Sequence, residues 1–434
     1  MRESAAGARR ARLSNVTSPW GAPAAALTGE GRQISWFDSG RRWVATVALG
    51  HFAVDFTANL PNMMYPFLAL QLGVDSYGLI GIATGVWALT SSLSQPPLGY
   101  LGDRFGRRWL AVGTIAVMAA LMALVPRAPS FAVLLLLLGI TGVAVGGYHP
   151  QGGAIANEAA RQNKGPSVAT FFLGGHLGFF AAPLAAGLVL AASGLEWMPL
   201  MAAPALLIAA LLPFGLRGFS STRQAASRGN FSMPDATRAV FAAILVIAFV
   251  RGWAYASLNT YIPFFVSPGE PDPLLYGSLL SLYFGFHAAG AFGGGVLAER
   301  LGTRRLIGVS SALLIPFIAA FALLPIGPAS YVMAAAVGAL IGAGFTPTVL
   351  LMQRMAPNRM GVVTGIVLSV AFGAPVIGNP LTGFVGDAAG LNVAFMLMAV
   401  AQVAVLVALR WIPGRTGSGQ VAASPARSVA GGAG

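Results

Sequence analysis

The sequence predicts an all-α membrane protein whose twelve transmembrane helices form two parallel six-helix repeats. Three observations carry that prediction. Only 9% of the 434 residues are charged and the mean hydropathy is +0.73, whereas a soluble domain carries roughly a quarter charged residues. Apolar runs of about 18 or more residues, long enough to cross a ~30 Å hydrocarbon core, recur at 43–72, 78–101, 109–126, 131–157, 166–192, 197–216, 239–266, 274–298, 306–325, 329–353, 361–387 and 390–412. The charged stretch GYLGDRFGRR at 99–108 returns as GVLAERLGTRR at 295–305.

The runs are continuously apolar and lack the in–out alternation of a membrane barrel, so they are read as helices. Aligning Asp103 with Glu299 pairs Gly99 with Gly295, Arg104 with Arg300 and Gly106 with Gly302. Within one position, the same offset pairs Gly147-Tyr148-His149-Pro150 with Gly344-Phe345-Thr346-Pro347, Pro66-Phe67 with Pro263-Phe264, and Gly194-Leu195 with Gly390-Leu391. A repeat in register over that length implies duplication of a six-helix unit. Six is even, so both copies point the same way and their axis runs along the membrane normal. The expected boundaries are a disordered tail at 1–41, a first bundle at 42–216, a polar linker at 217–237, a second bundle at 238–413 and a small-residue tail at 414–434.

The net charge of +13 follows topology rather than nucleic-acid binding. Arg2, Arg9, Arg10, Arg12, Arg32, Arg41 and Arg42 precede the first run, and further basic residues follow the even-numbered runs. Asp75, Glu196, Glu270, Asp272 and Asp387 fall in the opposite loops. This positive-inside pattern places both termini in the cytoplasm. There is no cysteine, so disulfides and thiol chemistry are excluded. No cofactor is expected.

The motif Gly-x-Leu-x-Asp-Arg-x-Gly-Arg-Arg between runs 2 and 3, echoed between runs 8 and 9, resembles the major facilitator superfamily over about 42–413. HFAVDFTANLPNMMYPFL (51–68), SSLSQPPLGYLGDRFGRR (91–108) and GGYHPQGGAIA (146–156) are similar to its fosmidomycin-resistance branch of drug exporters. The resemblance implies a single-chain transporter of the bacterial inner membrane that exchanges a small molecule for protons. It also implies a cytoplasmic gate built from Gly99, Asp103, Arg104, Gly106, Arg107 and Arg108 with Gly295, Glu299, Arg300, Arg304 and Arg305. Physically, glycines permit the tight turn, and the acids can face helix N-termini and neighbouring arginines. In that family helices 1, 4, 7 and 10 line the cavity while 3, 6, 9 and 12 face lipid, and here runs 3, 6, 9 and 12 hold no ionisable residue in their interiors. Two departures leave the direction of transport and the proton relay open. Run 4 lacks the usual arginine, and GFFAAPLAAG (178–187) keeps the proline but not the paired glycines of the antiporter pattern.

Ionisable groups inside a bilayer are costly and need a reason. They are His51, Asp55, His149, His176, Arg251 and His287, each roughly 12–18 Å from the cytoplasmic end of its helix at ~1.5 Å per residue. His51, Asp55, Asn59 and Asn62 form one stripe on run 1; Arg251, Tyr255 and Asn259 form another on run 7; Tyr283 and His287 share a face of run 8. Asp55 with His51 is the expected proton site. Arg251 is expected either to pair with Asp55 or to receive an anionic group of the substrate through its planar fork. Asn59, Tyr148, His149, Gln151, His176, Tyr255, Asn259, Tyr283 and His287 complete the expected substrate-binding set. Two rival readings stay open: an anion or organic-acid uptake symporter using Arg251, and a divalent-metal transporter using His51-x-x-x-Asp55 with His149 and His176. Against the second stand the single buried acid and the repulsion expected from Arg251, so no bound metal is expected. No nucleophile–base pair or phosphate-cradling loop points to an enzyme.

Overall fold

A computed structural model describes residues 39–160, 164–220, 235–355 and 360–413. Most of the expected tails and of the linker lie outside the described residues. The described chain is helical: α1 Ser39–Leu72, α2 Tyr77–Phe105, α3 Arg107–Met122, α4 Phe131–Ala159, α5 Lys164–Ser193, α6 Ala203–Gly215, α7 Asp235–Val266, α8 Pro273–Leu301, α9 Thr303–Leu323, α10 Pro328–Met355, α11 Met360–Gly373, α12 Pro375–Ala389 and α13 Leu391–Ala408. Short 3₁₀ turns extend α3 at Val125–Arg127, α6 at Leu195–Ala202 and α13 at Leu409–Trp411. The helices α11 and α12 divide one segment at Ala374, where Pro375 removes a backbone donor. With those joined, the helices make twelve segments.

Ten of these are long and apolar enough to span a membrane. The two that fall short are α1 and α2, and length is not the cause, since they run 34 and 29 residues. Their polar content is the cause: α1 carries His51, Asp55, Asn59 and Asn62, and α2 carries the run Thr90-Ser91-Ser92-Leu93-Ser94-Gln95. Hydropathy is lowest where the chain invests in polar chemistry.

The glycines of the repeated motif act as expected. Gly106 and Gly302 stand between α2 and α3 and between α8 and α9, with φ of 107° and 85°. Only glycine adopts that region without strain, and each residue ends one helix and begins the next.

The packing pattern of the first six segments recurs in the last six. Helix α2 lies against α4 as α8 lies against α10, α1 against α5 as α7 against α11 and α12, and α3 against α4 and α6 as α9 against α10 and α13. Between the halves, α2 packs on α12, α5 on α8, and α1 on α7. A hydrophobic core that includes Met63, Tyr65, Tyr261, Tyr276, Tyr283 and Phe284 runs through both halves.

The hydrogen bonds between the halves gather toward the end where α2 and α8 begin. Asn259 Nδ2 donates to Asn59 Oδ1 at 2.9 Å, Thr260 Oγ1 to Asn62 Oδ1 at 3.2 Å, and Tyr276 Oη to the Met63 carbonyl at 3.0 Å. Asn379 on α12 donates to Thr84 on α2 at 2.8 Å and to Thr260 on α7 at 3.1 Å, while accepting from Ser257 at 2.7 Å. At the same end Asp387 of α12 accepts from Ser76 Oγ, Tyr77 N and Gly78 N at 2.6, 2.7 and 3.0 Å, capping α2 from the other half of the chain.

Candidate functional site

The polar stripe of α1 meets a histidine of α4. His51 and Asp55 are one helical turn apart and therefore share a face, with His51 Nε2 3.2 Å from Asp55 Oδ2. His149 on α4 approaches the other carboxylate oxygen, its Nε2 standing 3.4 Å from Asp55 Oδ1. The carboxylate is thus held between two imidazoles. His51 and Asp55 are buried, whereas the His149 side chain is 31% exposed, so His149 is the open face of the cluster.

Backbone geometry fixes both rings. His51 Nδ1 lies 2.8 Å from the Phe171 carbonyl of α5, and His149 Nδ1 lies 2.9 Å from the Val145 carbonyl one turn earlier on α4. A carbonyl only accepts, so both Nδ1 atoms carry the proton and both Nε2 atoms face Asp55. The His51 ring also stacks on Phe171, centroids 4.1 Å apart. Gly175 of α5 makes room for the pair: a Cβ there would stand 2.7 Å from His51 Nε2 and closer still to Asp55 Oδ2.

Arg251 lies elsewhere. Its guanidinium is buried in the C-terminal half, donating to Ser311 Oγ on α9 at 2.7 Å and to the Leu340 and Ile341 carbonyls on α10 at 2.5 and 2.8 Å. It makes no ion pair among the described residues. The expected pairing with Asp55 is absent among the described residues. The Leu340 and Ile341 carbonyls of α10 solvate the cation instead, and a Cβ at Gly344 would strike the guanidinium. The carbonyl positions that decide this are invisible in a sequence.

The other expected site residues divide by location. Asn59 and Asn259 meet across the halves through their side-chain amides. His176 on α5 and His287 on α8 also face one another across the halves, ring centroids 5.8 Å apart, with Tyr255 4.7 Å from His287. Tyr283 is fully buried, its hydroxyl donating to the Tyr255 carbonyl at 3.2 Å. Tyr148 and Gln151 are tied inside the N-terminal half: Tyr148 Oη donates to the Val47 carbonyl at 2.5 Å and Gln151 Nε2 to the Leu98 carbonyl at 2.8 Å. Both are buried and brace α4 against its neighbours.

At the arginine-rich turns, Arg107 pairs with Asp103 four residues earlier and with Glu158 of α4 at 3.4 Å. Both pairs lie within the N-terminal half. Arg108 donates to the Pro213 carbonyl at 2.5 Å and lies over Trp109. Gly99 lies against Pro150 and Gly295 against Thr346, each beside the neighbouring helix. Asp103, Arg104, Glu299, Arg300, Arg304 and Arg305 are exposed.

Sequence reasoning missed Gly175, Asn379 and the capping role of Asp387. An asparagine beside Pro380 within an apolar run was the available signal for the second. Among the described residues, His51, Asp55 and His149 are the group whose ligand atoms lie close enough to hold a metal ion, all within 4.8 Å of one another. His176 stands apart from them.

Twelve helical segments, most of them apolar enough to span a bilayer, and an ionisable cluster buried among them define a multi-pass membrane protein. The profile of the Major Facilitator Superfamily matches residues 47–367 and 268–431. The chain belongs to that superfamily. It is 26% identical over 373 residues to the fosmidomycin resistance protein of Escherichia coli K12, covering 82% of this chain and 89% of the relative. It is 25% identical to the multidrug resistance protein MdtG of Klebsiella pneumoniae, covering 83% and 91%. An uncharacterized MFS-type transporter of Bacillus subtilis, YfnC, is 26% identical over 81% of this chain and 88% of its own length. Among solved structures, a bacterial homologue of the human lysosomal transporter Spinster superposes with a TM-score of 0.71 at 16% identity, covering 86% of this chain and 96% of that one. The nucleoside transporter NupG gives 0.65 at 16% identity, covering 85% and 97%.

Proposed function

We propose that this transporter is a secondary active exporter of the bacterial inner membrane that exchanges a small drug-like or anionic compound for protons by alternating access. The carrying observation is the His51–Asp55–His149 cluster, a buried acid placed between two imidazoles with one of them open to the surroundings. Such a group can hold and release protons as a ligand comes and goes. The relatives named for fosmidomycin and multidrug resistance support the export reading.

Two six-helix repeats related by an axis along the membrane normal would supply the moving bodies. The recurrence of helix contacts between the halves supports that arrangement, as does the in-register motif pair. Closure of the end at which α2 and α8 begin is held by Asn59–Asn259, Asn379 and Asp387, which alternating access must undo. The Asp103 and Glu299 turns would gate the other end, on the cytoplasmic side with both termini, in the complementary state. The chain works as a monomer in this reading, since the whole cluster and both groups of helices lie on one polypeptide.

Uptake of an anion through Arg251 is less favoured, because the terminal nitrogens of that guanidinium already donate to Ser311 and two carbonyls, although its buried Nε has no hydrogen-bond partner among the described residues. The test is proton release on adding fosmidomycin and related phosphonates, then lipophilic drugs, to purified protein in weakly buffered detergent. Release from the wild type but not from Asp55→Asn is expected. Binding without release would make the protein a uniporter or an uptake carrier, and failure to bind any of these compounds would remove the exporter reading.

A further inference from the structure

We infer that His51, Asp55 and His149 form a binding site for a divalent transition-metal ion of the zinc type, with His149 as its exposed edge. Binding of the ion alone is at issue, so the site stands or falls independently of the exporter reading.

Four observations converge on it. First, the ligand atoms are preset. Metal-binding histidines usually commit one ring nitrogen to a carbonyl or carboxylate, which fixes the tautomer and aims the other nitrogen at the ion. Here both Nδ1 atoms are committed to backbone carbonyls, of Phe171 at 2.8 Å and Val145 at 2.9 Å, and both Nε2 atoms converge on one carboxylate. Second, the spacing suits the ion. With bonds of about 2.0–2.1 Å in a tetrahedral shell, neighbouring ligand atoms stand roughly 3.3–3.4 Å apart. The Nε2 atoms of His51 and His149 stand 3.2 Å from Oδ2 and 3.4 Å from Oδ1 of Asp55, and the three ligand atoms lie within 4.8 Å of one another, so a small inward shift of the rings would close the shell around an ion.

Third, the donor set selects the metal class. Two neutral imidazoles and one carboxylate suit zinc, cobalt or nickel rather than magnesium or calcium, which take oxygen ligands. Three protein ligands leave the fourth position to water or another small ligand, as in open zinc sites. The exposed side of His149 provides that opening, while His51 and Asp55 are shielded. Fourth, Arg251, the cation that the sequence set against a metal, makes no ion pair with the cluster among the described residues. The Arg251 charge is turned into the C-terminal half, where Ser311, Leu340 and Ile341 receive it. The remaining histidines, His176 and His287, face each other across the halves and lie outside the ligand set.

Occupation by a divalent ion would neutralise Asp55 and bind both imidazoles, so the ion and the cluster's protons exclude one another. Zinc is therefore expected to inhibit any proton-coupled transport by this protein.

The experiment is a titration of purified, untagged, full-length protein with Co²⁺ and Zn²⁺, with no transported compound present. Cobalt absorption in the visible range reports coordination, and calorimetry gives affinity and stoichiometry for zinc. One equivalent is expected, with the intense bands of tetrahedral cobalt. His149→Gln and Asp55→Asn are each expected to weaken binding roughly tenfold or more, while His176→Gln leaves it unchanged. Gel-filtration profiles confirm that each variant is folded, and His149→Gln keeps the ring's approximate volume at the exposed edge of the cluster. Absence of stoichiometric binding to wild type would overturn the proposal, as would binding retained in both ligand variants. Proton release on adding phosphonates or drugs is a separate measurement, so loss of either reading leaves the other intact.

Discussion

Asp55 on α1 and Arg251 on α7 stand 196 positions apart, the same separation as Asp103 and Glu299. They lie on helices that occupy matching places in the packing of the two halves, yet their chemistry is opposite in both sign and setting. Asp55 keeps side-chain partners that can exchange protons, His51 and His149, and one of these is open. Arg251 is enclosed by a serine and two backbone carbonyls that cannot titrate. Each charge lies against a glycine of a neighbouring helix, Gly175 for the acid and Gly344 for the base. The contrast teaches that the neighbouring helices decide which partners a buried charge receives.

Substitutions can break that contrast. The largest effect is expected from Asp55→Asn, which keeps the shape and removes the charge. It should abolish proton-driven transport in reconstituted vesicles while leaving membrane insertion and the gel-filtration profile unchanged. Full activity in that variant would remove Asp55 from the mechanism and make the two positions alike.

Arg251→Lys should act on stability instead. An ammonium cannot reproduce the planar fork, and each hydrogen bond to a charged group that is lost costs about 1.5–3 kcal/mol. A lowered melting temperature in detergent is expected, with affinity for any transported anion unchanged. A selective loss of anion affinity would return Arg251 to the binding role that its sequence position suggests.

The two glycines sharpen the comparison with a matched pair. Gly175→Ala pushes a methyl into Asp55 and His51, and is expected to reduce transport severalfold with a modest loss of stability. Gly344→Ala pushes one into the Arg251 guanidinium, and is expected to lower the melting temperature while sparing turnover per folded molecule. Measuring transport and thermal stability on both separates the outcomes.

The smallest effect concerns the helix starts, which repeat the theme. Helix α8 is capped by its own Asp272, which accepts from Leu275 N at 3.0 Å. Helix α2 begins one repeat earlier at Ser76 and is capped in addition by Asp387 from the other half. A capping residue contributes about 0.5–2 kcal/mol. Both Asp272→Ala and Asp387→Ala should lose about that much stability. Only Asp387→Ala should also raise labelling of a cysteine placed on α2 near Thr84, because only that cap joins the halves.

Much of the framework was legible in the residues. Continuous apolar runs have one solution in a bilayer, a helix with its own backbone satisfied, so the element order followed. Gly106 and Gly302 were legible because a sharp turn between two long helices requires a conformation few other residues accept. The polar stripe of α1 was legible because the helical period places positions 51 and 55 on one face whatever surrounds them.

The partners of those groups were decided by tertiary structure. Nothing in the sequence distinguishes Tyr148, which braces α4 against the Val47 carbonyl, from His149 beside it, which completes the cluster. A rotation of about 100° between successive residues on one helix separates the two roles. Nor does the sequence show that Leu340 and Ile341 turn their carbonyls toward Arg251, because backbone oxygens are common to every residue. The sequence by itself determined which charges enter the membrane and on which helix faces. The packing of neighbouring helices determined which of them meet, because contact between distant segments depends on where their backbones run as well as on which side chains they carry.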